Sequence, residues 1–163
     1  MKELIENYLI KQDIFYECML LEYYYSESNH TFTWVGRPGL FTDIDLAKNP
    51  FIKICFIGIS NYNHIFPKIN NSFNECSNHF LTQNYVGSYV SHASCLKKKE
   101  GLYEIEIQLT YRLGSIILQF EDFYLEILNT ECRKVDDSTF IYSIPETNEE
   151  LDFYRPFGEI RKD

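Results

Sequence analysis

The stretch Tyr103-Glu-Ile-Glu-Ile-Gln-Leu-Thr-Tyr-Arg112 alternates apolar and polar side chains without a break. Tyr103, Ile105, Ile107, Leu109 and Tyr111 share one face, and Glu104, Glu106, Gln108, Thr110 and Arg112 share the other. A period of two belongs to a strand with one buried and one wet face. The stretch sits inside residues 85–128, which read as three consecutive antiparallel strands. Lys97-Lys-Lys-Glu-Gly101 marks the first hairpin turn, where Gly101 supplies the permissive backbone. Leu113-Gly114 makes a tight connection into a strand over 115–128. In that strand Ile116, Leu118 and Phe120 share a face, and so do Phe123, Leu125 and Ile127, but the step from Phe120 to Phe123 is odd. The register must be reset at Glu121-Asp122, as a β-bulge or bend does, turning two adjacent carboxylates outward.

Outward from this block the same reasoning places further elements. Residues 14–25 form a dense apolar and aromatic run without Gly or Pro, expected to be a long strand buried on much of both faces. Ser26-Glu-Ser-Asn29 is a turn signal, and residues 31–35 complete a hairpin that Gly36-Arg-Pro-Gly39 ends. Residues 40–49 read as a loop holding Asp43 and Asp45, and residues 51–58 as a third strand with Pro50 at its mouth. Residues 60–84 are rich in Asn and read as a long polar connection with a short helical turn at 73–80. Residues 3–12 suit a short amphipathic helix, with Leu4, Ile5, Tyr8 and Leu9 on one face. Residues 140–144 are expected as a final strand, residues 148–154 as a short helix, and residues 155–163 as a charged tail.

The expected fold is therefore mainly β, with α+β as the alternative class. It is an antiparallel β-sandwich or partly open barrel with a short N-terminal helix, in a single β-rich domain over 1–163. The length fits one domain, and 45% hydrophobic residues allow a sizeable core.

Charge narrows the partners. Fifteen Lys and Arg stand against 24 Asp and Glu, a net charge of −9. Such a surface repels nucleic-acid backbones and anionic membranes and attracts basic partners. Five cysteines, Cys18, Cys55, Cys76, Cys95 and Cys132, are an odd number without a short-range pairing motif. Together with an N-terminus lacking a continuous apolar stretch, they point to a reducing, cytoplasmic setting. The longest apolar run, near 54–59, is far too short to span a bilayer.

Catalytic signatures are missing: there is no G-x-S-x-G, no G-x-G-x-x-G and no P-loop. Nothing in the pattern calls for a cofactor. Cys76-x2-His79 followed by His92-x2-Cys95 has the residue types zinc prefers. Against a metal site, His92 and Cys95 differ by an odd offset in an expected strand and so face opposite ways. The carboxylate pairs Asp43/Asp45, Glu121/Asp122 and Asp136/Asp137 lie at expected loops and bends. They read as solvated or partner-facing groups rather than as an acid–base pair across a cleft.

Residues 51–58 (FIKICFIG) and 115–126 (SIILQFEDFYLE) resemble β-segments of immunity proteins from bacterial toxin systems, including contact-dependent inhibition systems. The resemblance implies a non-enzymatic cytoplasmic protein that binds and neutralises a basic toxin, such as a nuclease. It assigns no residue a role. Charge complementarity would steer such an encounter and aromatic anchors would hold it, with Asp43, Asp45, Glu121, Asp122, Asp136 and Asp137 as the candidate acidic group. Two rival readings stand beside it: a small-molecule-binding barrel or sandwich with Tyr and Phe lining a cavity, and a hydrolase with an unrecognised site. Exposed strand edges leave a homodimer open.

Overall fold

Long-range pairing organises the alternating segments into three antiparallel sheets. The computed structural model describes residues 2–39, 44–65, 89–98, 101–110 and 114–161. A short helix α1 (Lys2–Ile5) continues as a π-helical turn, Glu6–Lys11. The strands are β1 (Met19–Ser26), β2 (Thr31–Arg37), β3 (Phe51–Ile57), β4 (Asn61–Ile65), β5 (Val90–Lys97), β6 (Tyr103–Leu109), β7 (Ser115–Phe120), β8 (Asp122–Leu128), β9 (Glu131–Lys134), β10 (Phe140–Ser143) and β11 (Glu150–Leu151). The first sheet runs β1-β2-β3-β8, the second β4-β7-β6-β5, and the third β11-β10-β9.

The first two sheets face each other across the main core. In β6 the alternation is realised residue by residue: Tyr103, Ile105, Ile107 and Leu109 are buried, while Glu104, Glu106 and Gln108 are not. Phe32, Trp34, Ile54 and Phe56 meet them from the first sheet. Each fully buried apolar side chain of this kind contributes about 1.5–3 kcal/mol. Phe56 lies at the centre, its ring 4.8 Å from Phe120, 6.1 Å from Phe123, 6.1 Å from Phe32 and 6.2 Å from Phe15. The N-terminal helical piece lies against β5 and β8, an edge strand of each sheet, and lends Ile5 and Leu9 to the core. At another seam Tyr25 stacks on Tyr62 at 4.3 Å, and the Tyr23 hydroxyl lies 3.0 Å from His64 Nδ1.

The odd step at Phe120–Phe123 proves to be a corner. The expected single strand over 115–128 is two strands in two different sheets: β7 pairs β4 and β6, whereas β8 pairs β3. The β3–β4 connection bends beside it, with Gly58 at φ +67° and the Glu121 N–H donating to the Ile57 carbonyl at 3.0 Å. Strands that change sheets at a bend form the corners of packed sheets. The physical reason for the odd step is that Phe120 and Phe123 both enter the same core, one from each layer.

The third sheet and the chain after it pack on the outer face of the first sheet. Leu21, Val35 and Phe51 are buried there, with Tyr142, Phe153, Phe157 and Ile160 against them. Arg37 lies over the rings of Phe51 and Tyr142 at 5.3 and 5.2 Å and donates to the Tyr142 hydroxyl at 2.9 Å. This extra layer is why β1 is buried on both faces.

Four local expectations change. The run over 14–25 begins as a turn, not a strand. Asp13 Oδ1 accepts the Phe15 N–H at 3.0 Å, Glu17 takes a left-handed φ of 55°, and Ile14 and Phe15 enter the main core before β1 starts. The expected loop over 60–84 opens with β4, because pairing with β7 outweighs the low strand propensity of its asparagines; residues 66–84, with the helical turn expected at 73–80, lie outside the described residues. No helix forms over 148–154: Asn148 adopts φ 55°, β11 follows, and Asp152 Oδ1 accepts the Tyr154 N–H at 2.9 Å. The charged tail docks through Phe157, Ile160 and a buried Pro156.

Candidate functional site

The acidic residues singled out in the sequence are not brought together. Asp43 lies outside the described residues. Asp45 caps the 3-10 turn Leu46–Lys48, accepting the Ala47 N–H at 3.1 Å. That turn leads into the start of β3, whereas Glu121 and Asp122 sit beside its far end, so roughly 20 Å of strand separates them. Glu121 is exposed at the corner; Asp122 is half-buried and accepts the Phe123 N–H at 2.9 Å. Asp136 and Asp137 occupy the β9–β10 turn. Asp136 accepts from the Ser138 N–H at 2.9 Å, the Ser138 hydroxyl at 3.1 Å and the Thr139 N–H at 2.9 Å. These bonds, led by the Ser138 backbone, hold its carboxyl below the usual range. Asp137 pairs with Lys134 at 2.9 Å. Several of these groups therefore have local structural duties.

Charge gathers elsewhere. Residues 121–163 hold twelve Asp and Glu against five Lys and Arg, a balance of −7 out of the chain's −9. Most of this segment is the third layer. Glu146, Glu149, Glu150 and Asp152 are exposed within seven residues of chain, with Arg133 reaching Glu150 only at 4.0 Å. The same layer exposes large apolar side chains: Val135 at 54%, Phe140 at 51% and Tyr154 at 54%. Exposed apolar side chains and exposed carboxylates thus occur together in this layer. The net charge of the whole chain conceals this local bias. The asymmetry between the two ends of the chain was the signal that leads to this layer.

Of the zinc-like set, Cys76 and His79 lie outside the described residues. His92 and Cys95 do face opposite ways: the His92 side chain is 61% exposed, with Nδ1 3.8 Å from Asp13 Oδ2, while Cys95 is buried in the core. Among the described residues no three His, Cys, Asp or Glu side chains converge as a metal centre requires. Cys18, Cys55, Cys95 and Cys132 are free thiols. Burial pushes Cys18 and Cys95 up to about 12, which leaves them protonated and poor nucleophiles.

Phe15, Phe32 and Phe120 pack around Phe56 between the sheets. Among the described residues no helix is long and apolar enough to cross a membrane. No protein-family model matches the chain, and no curated protein is similar to it.

Proposed function

We propose that this chain is a binding protein that captures a basic protein partner on the acidic outer surface of its third sheet, and that it acts as an immunity protein neutralising a toxin in the cytoplasm. One observation carries the reading: −7 of the net −9 falls in residues 121–163, most of them in a layer that also exposes Val135, Phe140 and Tyr154. The charge would accelerate encounter with a cationic surface, and the apolar side chains would supply the short-range contact. The resemblance of residues 51–58 and 115–126 to immunity-protein segments supports the same role.

The test is a capture experiment from the native source at low and moderate salt, followed by purification of the partner. A combined Glu146→Lys, Glu149→Lys, Glu150→Lys variant should lose about tenfold or more in affinity at low salt. A control with Glu6→Lys and Glu27→Lys should not. The purified partner should be toxic, and its activity should fall on adding the chain. Equal binding by both variants, or an affinity indifferent to salt, would refute the proposal.

A further inference from the structure

An open cleft of about 590 Å³ lies where the first sheet meets the second, well within the size range of ligand sites. Its walls include Tyr16 and Glu17 before β1, Leu46 of the 3-10 turn, and Tyr89 and Ser91 at the start of β5. Tyr16, Leu46 and Tyr89, at 46%, 41% and 44% exposure, are three of the large apolar side chains left open to solvent, and they converge on this one concavity. The backbone beneath is fixed. The Glu17 N–H donates to the Val90 carbonyl at 3.2 Å, the Val90 N–H to the Cys18 carbonyl at 2.9 Å, and the Tyr89 N–H to the Thr110 hydroxyl at 3.0 Å.

Glu17 is the unusual member. It holds φ at 55°, a region that costs a side-chain-bearing residue strain and that Gly or Asn occupies more cheaply. Gly39 lies tight against it: a Cβ on Gly39 would stand 2.3 Å from the Tyr16 carbonyl oxygen and 2.8 Å from Glu17 Cβ. Glu17 is exposed, and among the described residues its carboxylate makes no hydrogen bond or ion pair. Arg37 shares a smaller adjoining recess with Glu17, Leu46 and Tyr89, and its guanidinium is engaged by the Tyr142 hydroxyl at 2.9 Å. A carboxylate at a strained position, lining one cleft with two tyrosines, has the chemistry that recognises a cation on an apolar stem.

We infer that this cleft seats an arginine or lysine side chain of the partner protein, with Glu17 meeting the charge and Tyr16 and Tyr89 flanking the stem. The inference rests on the proposed binding of a basic partner but places a specific contact outside the acidic third layer.

The test needs no identified partner. N-acetyl-arginine methylamide is titrated into the full chain and followed by NMR, with the citrulline analogue as the neutral isostere. The expected result is saturable shifts at Tyr16, Glu17, Tyr89 and Ser91 with the arginine probe and none with citrulline. Glu17→Gln should weaken the probe by up to about fivefold. Glu17→Gly should abolish the discrimination while raising the unfolding midpoint, because strain is relieved. Reversing Glu146, Glu149 and Glu150 should leave the probe's affinity unchanged, so a failure of either reading is visible apart from the other. Equal binding of citrulline, absence of shifts at tens of millimolar probe, an unaltered affinity in Glu17→Gln, or a lowered midpoint in Glu17→Gly would each overturn the inference.

Discussion

Replacing Arg161 with Ala should loosen the third layer in a way that depends on pH. Glu22, on β1, is only 4% exposed, and Arg161 Nε stands 3.6 Å from its Oε1. Burial pushes the Glu22 carboxyl above its ordinary value, Arg161 and then Arg155 pull it back, and Glu159 adds to the upward push. A raised folded-state pKa means stability that is full below the ordinary carboxylate range and is lost as pH rises through the folded value. Removing Arg161 takes away the largest opposing influence, so the loss must grow with pH. It also has a ceiling. Rather than bury an uncompensated charge, Glu22 takes up a proton, at about 1.4 kcal/mol for each pH unit above the ordinary value. From an ordinary value of 4.5, that is at most about 3.4 kcal/mol at pH 7 and about 0.7 kcal/mol at pH 5. The lost packing of the Arg161 methylenes adds about 1 kcal/mol or less at either pH, since that side chain is 26% exposed. Urea unfolding of both proteins at pH 5 and pH 7 measures the difference. Adding Glu22→Gln to the Arg161→Ala chain should erase the pH dependence. An equal loss at the two pH values, or a pH dependence that survives Glu22→Gln, would refute the ionic account.

Two further outcomes follow from the packing. Phe56→Ala empties the site where both sheets meet and should cost about 3–5 kcal/mol in denaturant unfolding, while Phe56→Leu should cost much less; a loss under about 1 kcal/mol for the alanine variant would mean that Phe56 does not bridge the layers. Asp13 accepts the Phe15 N–H at 3.0 Å and, across 80 residues, the Ala93 N–H of β5 at 2.9 Å. Asp13→Ala should therefore cost about 1–3 kcal/mol and speed hydrogen exchange at Ala93, and an unchanged exchange rate there would mean that Asp13 does not hold that amide of β5.

Much of the sheet content was legible because strand alternation is a local property. Tyr103 to Leu109 states its buried face in its own spacing, and the odd step at Phe120–Phe123 states that something must happen at Glu121. The β1–β2 hairpin was legible for the same reason, since its turn residues lie between its two strands. The candidate site was much less so. Asp45 and Asp136 looked free as residue types, but each is consumed by a turn whose geometry only the folded backbone defines. The charge bias toward the C-terminal end was written in the sequence, but its meaning depends on that segment forming a separate layer.

By itself the sequence determined a strand-rich, acidic chain with a register reset at residues 121–122, because periodicity and charge are carried by neighbouring residues. It takes long-range packing to put β7 and β8 in different sheets, to dock the tail so that Glu22 lies buried beside Arg161, and to gather Tyr16, Glu17, Leu46 and Tyr89 at one cleft. Those outcomes depend on contacts between segments tens to more than a hundred residues apart. Such contacts form only when burial of shared apolar surface outweighs the entropy of closing the intervening chain, a balance that no local window of sequence contains.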